Sequence, residues 1–153
     1  MDHGPESPTA TDLRYWIACE RDAEWTAKLA ILSAVRCEDV RHFGECLREH
    51  NRHANELLAL ARMVDVHVRI PPEPTFVTAD PFVVGAIDNG PALLDAMVRL
   101  EGARIERYLQ RSPTVANQPA SRVHGLLDRH LAEARARLGR LRELRESGRN
   151  KAA

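Results

Sequence analysis

Histidine and glutamate side chains occupy positions of this sequence at which a helix would bury them. His50 and His53 fall in a run whose apolar residues recur every three or four positions, and Glu101 and His130 fall in two further runs of this kind. A buried, ionised carboxylate costs several kcal/mol unless it has a partner. Inward Glu and His side chains on facing helices are typical ligands of iron and manganese. These four residues are therefore candidate metal ligands.

The first helical run offers a fifth candidate, but its rotation is ambiguous. One apolar seam through Leu13, Ile17 and Ala27 also contains Glu20 and Glu24. A rotated stripe would turn both carboxylates outward, and it runs through Trp16, Cys19, Ala23 and Ala30. The periodicity of the apolar residues does not distinguish these two rotations of the helix. We place Glu24 in the candidate set and keep Glu20 as its alternative.

The same side chains have a second interpretation in which no metal takes part. A buried Glu can pair with Arg or protonated His across the bundle, and a buried His can donate to a backbone carbonyl. The chain has 22 basic and 22 acidic side chains, so partners for such pairs are abundant. The alternative function is a non-catalytic, structural bundle with buried ion pairs.

The hydrophobic pattern predicts an all-α protein, because no run alternates with period two. Between the first two helices we predict a tight turn near Arg36 to Glu38, because a single helix of more than 50 residues would be unusual. We expect one domain, a bundle over 10–147, with a disordered tail at 1–9 and a frayed tail at 148–153. The four long helices are predicted at about 10–35, 38–64, 91–111 and 120–146.

The linker at 65–90 determines the expected topology. Pro71, Pro72 and Pro74 exclude a helix interior there, and a short helical piece is expected to open at Asp80. A helix of about 25 residues is roughly 37 Å long. About 15 extended residues reach roughly 50 Å, enough to return along such a helix. The predicted fold is a ferritin-like four-helix bundle of two antiparallel hairpins joined by a long crossover.

Two segments of the sequence resemble the ferritin-like superfamily, in particular its small bacterial four-helix-bundle proteins of unknown function. The segment HNRHANELLALA at 50–61 is similar to the E-x-x-H-A pattern of the second helix of bacterioferritins. The segment LEGARIERY at 100–108 is similar to a third helix with an inward Glu and a Tyr seven residues later. The resemblance spans about 12–145 and implies a role in iron handling or stress response.

The chain departs from the ligand pattern that this resemblance implies. A diiron member has Glu on the first and third helices and E-x-x-H on the second and fourth. Here His50 stands where the second-helix Glu would be, and the fourth helix has His130 and Glu133 in reversed order. We therefore expect a degenerate site for one ion, Fe, Mn or Zn. Its expected ligands are Glu24, His50, His53, Glu101 and His130.

Composition and charge disfavour several other classes of protein function. The formal charge is zero at pH 7, which disfavours a dedicated nucleic-acid binder. No run of 18 apolar residues predicts a membrane span, and the first residues carry no apolar signal segment, so we expect a cytoplasmic protein. No phosphate loop, G-x-S-x-G elbow or H-E-x-x-H pair indicates a hydrolase or a nucleotide enzyme. We expect a homo-oligomer under either interpretation.

Overall fold

Four α-helices make up most of the chain. A computed structural model describes residues 8–69, 85–86, 89–110 and 118–152, and these residues contain no strand. This confirms the predicted all-helical class. None of the helices described is long and apolar enough to cross a membrane. The helices are α1 (Pro8–Ser33), α2 (Cys37–Met63), α3 (Gly90–Gln110) and α4 (Gln118–Ala152).

The turn between α1 and α2 lies one to two residues before its predicted place. Residues 34–36 are non-helical, and Arg36 is extended with φ −89° and ψ 133° before α2 begins. Glu38 and Asp39 then place negative charge in the first turn of α2, where it favours the helix dipole. The turn is therefore short enough to hold α1 and α2 antiparallel.

Helix α2 ends in a Schellman motif with Asp65 in the left-handed conformation, at φ 56°. The Val66 N–H donates to the Ala61 carbonyl at 2.8 Å, and the Asp65 N–H donates to Arg62 at 3.3 Å. Arg14 then holds the following residues by donating from Nε to the carbonyl of His67 at 2.9 Å. The short helical piece expected at Asp80 lies outside the described residues.

Helix α4 extends through Ala152, whereas the sequence predicted its end near Glu146 and a frayed tail beyond. Ion pairs with other helices account for the extra turns. Arg145 and Arg149 lie 3.6 and 3.5 Å from Asp95 of α3, and Lys151 lies 3.9 Å from Glu38 of α2. At the other terminus, α1 already includes Pro8 and Thr9, inside the segment predicted as a tail.

Side-chain pairs define the directions of the helices. Asp95 and Glu101 of α3 meet Arg145 and Arg137 of α4 in reversed order, so α3 and α4 are antiparallel. Glu49 and Glu56 of α2 likewise meet residues 137–140 and 129–130 of α4 in reversed order. Helices α2 and α3 therefore run parallel, as the predicted pair of hairpins with a long connection requires.

The interior consists of two apolar clusters with a polar layer between them. The first cluster includes Phe43, Leu94 and Leu138, and the second includes Leu13 and Leu57. On α1, α2 and α4, a buried polar residue stands between the parts that contribute to the two clusters, whereas on α3 Glu101 and Arg104 lie between Val98 and Ile105 of the first cluster. The buried members of this polar layer are Glu20, His50, His53, Glu101, Arg104, His130 and Arg137.

Candidate metal centre

Three buried side chains of the first hairpin converge in the polar layer. Glu20 comes from α1, His50 and His53 come from α2, and each is at most 1% exposed. His50 Nδ1 lies 2.9 Å from Glu20 Oε2, and His53 Nδ1 lies 3.7 Å from Glu20 Oε1. One ligand atom from each residue lies within 4.8 Å of the others, so the trio could hold a single metal ion.

The other ring nitrogen of each histidine is held by a carboxylate. His50 Nε2 lies 2.9 Å from Glu101 Oε1, and His53 Nε2 makes a short contact with Glu133 Oε2. Metal-bound histidines commonly have this second contact, because a carboxylate fixes the ring orientation and the tautomer. His53 Nδ1, which faces Glu20, has no hydrogen-bond partner among the described residues.

Glu20 also receives contacts from α3. Arg104 Nη2 donates to Glu20 Oε1 at 2.5 Å, and the Tyr108 hydroxyl donates to the same oxygen at 2.5 Å. Burial raises the pKa of Glu20, but Arg104 and the imidazoles of His50 and His53 outweigh it and hold the pKa well below its ordinary value. Glu20 is therefore ionised at neutral pH.

Glu101 forms an ion pair with a buried arginine of α4. Arg137 Nη2 of α4 lies 3.0 Å from Glu101 Oε2, and Arg137 Nη1 donates to Glu49. Burial raises the pKa of Glu101, yet Arg137 and His50 lower it far more, so this carboxylate is also ionised. The two buried carboxylates are thus matched by two buried arginines, Arg104 and Arg137.

His130 belongs to the layer but lies beside the trio. Its ring stacks on His53 with centroids 3.8 Å apart and an interplanar angle of 13°. Its Nε2 lies 2.7 Å from Glu56 Oε2. Burial and the neighbouring His53 lower the pKa of His130 to about 4, although Glu56 opposes this shift. The ring is therefore neutral at physiological pH.

Arg52 lies at the solvent-facing side of His53 and His130. Its guanidinium donates to Glu133 at 2.6 Å and to Glu56 at 3.3 Å. Burial raises the pKa of Glu133, but hydrogen bonds from Arg52 and His53 outweigh it and lower the pKa to about 2. The carboxylates that hold His53 and His130 are therefore themselves fixed by a cation at the surface.

Four of the five predicted ligands lie in the polar layer, and the fifth does not. Glu24 contacts Arg21 at 2.7 Å, Asn51 at 3.1 Å and Lys28 at 3.7 Å, at the edge of the α1–α2 interface. Glu20, the alternative, occupies the place beside the histidines. Glu101 and His130 contact the trio from outside: Glu101 contacts His50, and His130 stacks on His53.

The two buried arginines of the layer, Arg104 and Arg137, are not among the predicted site residues. Arg104 lies three residues after Glu101, and Arg137 lies seven residues after His130, so each shares a helix face with a predicted ligand. This shared helix face is the feature of the sequence that could have identified the two arginines. An arginine on an apolar seam does not by itself predict a buried guanidinium, because its long side chain usually reaches solvent.

Comparison with known proteins yields no relative. No protein-family model matches the chain, and no curated protein and no solved structure matches it either.

Glu101→Gln is expected to lower the free energy of unfolding by about 3 kcal/mol, because it removes the buried counter-charge of Arg137 and one of the two carboxylates that contact His50. Urea denaturation followed by circular dichroism measures this. Glu106→Gln, an exposed change on the same helix, should stay within about 0.5 kcal/mol of the parent. Equal stability of the two variants would contradict the pairing.

His130 is expected to make stability depend on pH between 6.5 and about 4. Below pH 6.5 the unfolded chain protonates this imidazole, whereas the folded protein keeps it neutral until about pH 4. Stability is therefore lost as the pH falls through this window, by up to about 3 kcal/mol. His130→Gln should remove that loss in urea titrations at pH 7, 6 and 5, and His124→Gln on the same helix should retain it.

Proposed function

We propose that the protein binds one divalent first-row transition-metal ion through Glu20, His50 and His53. The observation that carries the proposal is the convergence of these three buried ligand atoms. His53 Nδ1 lies 3.7 Å from Glu20 Oε1 and has no hydrogen-bond partner in the part of the chain that the structure describes. Burying an imidazole nitrogen without a partner is costly, and a metal ion supplies the partner.

The ligand types indicate the class of ion. Two imidazoles and one carboxylate suit Fe(II), Mn(II) and Zn(II). Glu101 and Glu133 serve as the outer partners of the two histidines, a role that keeps each Nδ1 directed inward. When bound, such an ion supplies Lewis-acid or redox chemistry, and the residues of this chain hold and orient it.

Both ring nitrogens of His50 contact carboxylate oxygens, so a bound ion would compete with one of these contacts. Imidazole ligands bind a metal ion through a deprotonated nitrogen, so binding releases protons. Affinity should therefore rise with pH, as for other sites built on imidazoles.

The arrangement of the helices supports a ferritin-like bundle as the scaffold. Two antiparallel hairpins place α2 parallel to α3, and the site lies between apolar clusters in the middle of the bundle. A one-ion site in such a bundle fits a role in iron handling or stress response.

Glu20→Gln is expected to weaken metal binding by about a hundredfold or more, because a first ligand is lost where loss of an outer partner alone costs roughly 10- to 100-fold. The measurement is titration of metal-free protein with Co(II), followed by visible absorption, with Fe, Mn and Zn contents determined by elemental analysis. The parent protein should take up one ion per chain.

Glu24→Gln is the matched control, since it makes the same change one helical turn away and should retain full binding. His53→Gln should behave as Glu20→Gln does, whereas His42→Gln on the same helix should not. Absence of saturable Co(II) binding by the parent, or equal binding by the Glu20 and Glu24 variants, would refute the site.

A second candidate function follows from the balance of charges. Arg104 and Arg137 already neutralise Glu20 and Glu101, so the layer can be satisfied by ion pairs alone. The protein would then be a structural bundle that works by self-association. Large exposed apolar side chains near the α1–α2 turn, Leu32 and Val35 at 83% and 87% exposure, favour such an association.

Arg104→Gln distinguishes the two functions. Arg104 shares the Glu20 carboxylate with the proposed ion, so its removal should lower the melting temperature of the metal-free protein and enlarge the rise caused by Zn(II). Differential scanning calorimetry with and without Zn(II) measures both. If the protein is an ion-paired bundle that binds no metal, Zn(II) should not raise the melting temperature of the Arg104→Gln variant. Arg104→Lys, which keeps the charge, should resemble the parent.

A further inference from the structure

The three proposed metal ligands lie where solvent does not reach them. Glu20, His50 and His53 are each at most 1% exposed, and apolar clusters cover the layer toward both ends of the bundle. An ion that reaches these ligands must therefore pass between two helices. The side chains along the seams between the helices indicate which pair of helices it passes.

The contacts of the three ligands reach the surface between α2 and α4. Glu133 of α4 is 30% exposed, and its Oε2 contacts His53 Nε2. The other ring nitrogen, His53 Nδ1, lies 3.7 Å from Glu20 Oε1. Glu56 of α2, which is also 30% exposed, contacts His130, the ring that stacks on His53. The imidazole of His53 therefore extends from a partly exposed carboxylate to the buried centre of the site.

Buried cations cover the site on the side of α3. Arg104 and Tyr108 both donate to Glu20 and are themselves buried. Arg137, also buried, lies against Glu101 between α3 and α4. A buried guanidinium fills the space between the helices and repels an approaching cation, whereas the carboxylates between α2 and α4 attract it.

A cation of the protein itself joins the two carboxylates between α2 and α4. Arg52 of α2 donates to Glu133 at 2.6 Å and to Glu56 at 3.3 Å. The Arg52 side chain is 45% exposed, so it can move into water, where its charge is solvated. An incoming divalent ion can take its place, because carboxylate oxygens are good ligands of such ions. The exchange leaves neither carboxylate without a cation.

We infer that divalent metal ions enter between α2 and α4, past Glu133 and Glu56, and that Arg52 closes this entrance. The inference rests on the proposed metal site and adds how that site fills and empties. The described contacts of Arg52 are with the two carboxylates of the entrance and not with Glu20, His50 or His53. Arg52 therefore closes the entrance in the loaded and the empty protein alike, and its loss should accelerate both uptake and release.

The test is stopped-flow mixing of the metal-free protein with Co(II), and of the Co(II)-loaded protein with saturating EDTA, both followed by visible absorption. Arg52→Gln should raise the rates of uptake and of release by about fivefold each, a factor that corresponds to about 1 kcal/mol, the upper value for an exposed ion pair. The affinity, which is the ratio of the two rates, should change much less. Faster uptake without faster release would show a purely electrostatic effect of the lost charge and would overturn the inference.

Two variants that lose the same charge elsewhere are the matched controls. Arg48→Gln changes an exposed arginine one turn before Arg52 on α2. Arg21→Gln removes the contact of Arg21 with Glu24 at the edge of the α1–α2 interface, the competing entrance. Both variants should exchange Co(II) at the rates of the parent protein.

Two kinds of failure can be told apart. Normal Co(II) binding with unchanged rates in the Arg52 variant, or faster exchange in the Arg21 variant, would overturn the entrance and leave the metal site in place. A parent protein that binds no Co(II) would remove the metal site and the entrance together.

Discussion

Compensation of buried charge is the constraint on which this bundle depends. Glu20 and Glu101 lie at the centre of the molecule, ionised and almost wholly buried, and each requires cations or N–H donors within hydrogen-bond distance. All four helices contribute to meeting this requirement. The apolar clusters on either side of the layer provide most of the hydrophobic stabilisation, but the polar layer determines which side chains face one another.

Much of this architecture could be predicted from the sequence because its signals are local. The spacing of the apolar residues predicts four helices, and three prolines in one segment indicate the long connection. His50, His53, Glu101 and His130 stood out as polar residues on apolar seams, and all four are buried in the layer. The length of a connection constrains whether neighbouring helices are parallel, so the hairpin arrangement can be predicted from the lengths of the helices and of the segment at 65–90.

The remaining features of the fold and of the site depend on contacts between helices. The spacing of residues along one helix does not determine these contacts. Glu20 and Glu24 differ by only about 40° around a helix, so a small rotation of α1 decides which of them meets the histidines. Arg104 and Arg137 carry long side chains that can point to solvent or turn inward, and only a facing carboxylate makes the inward position favourable. The last turns of α4 likewise depend on Asp95 and Glu38, which belong to other helices.

The division of the layer between the two hairpins has a consequence for folding. The α1–α2 hairpin contains Glu20, whereas Arg104, its buried arginine, belongs to the α3–α4 hairpin. The His50–Glu101 contact also crosses between the hairpins. Either hairpin alone would have to bury charge without its counterpart or leave its inner face in water. The halves should therefore acquire their packed structure together, in a single cooperative transition, and neither should persist as a folded intermediate.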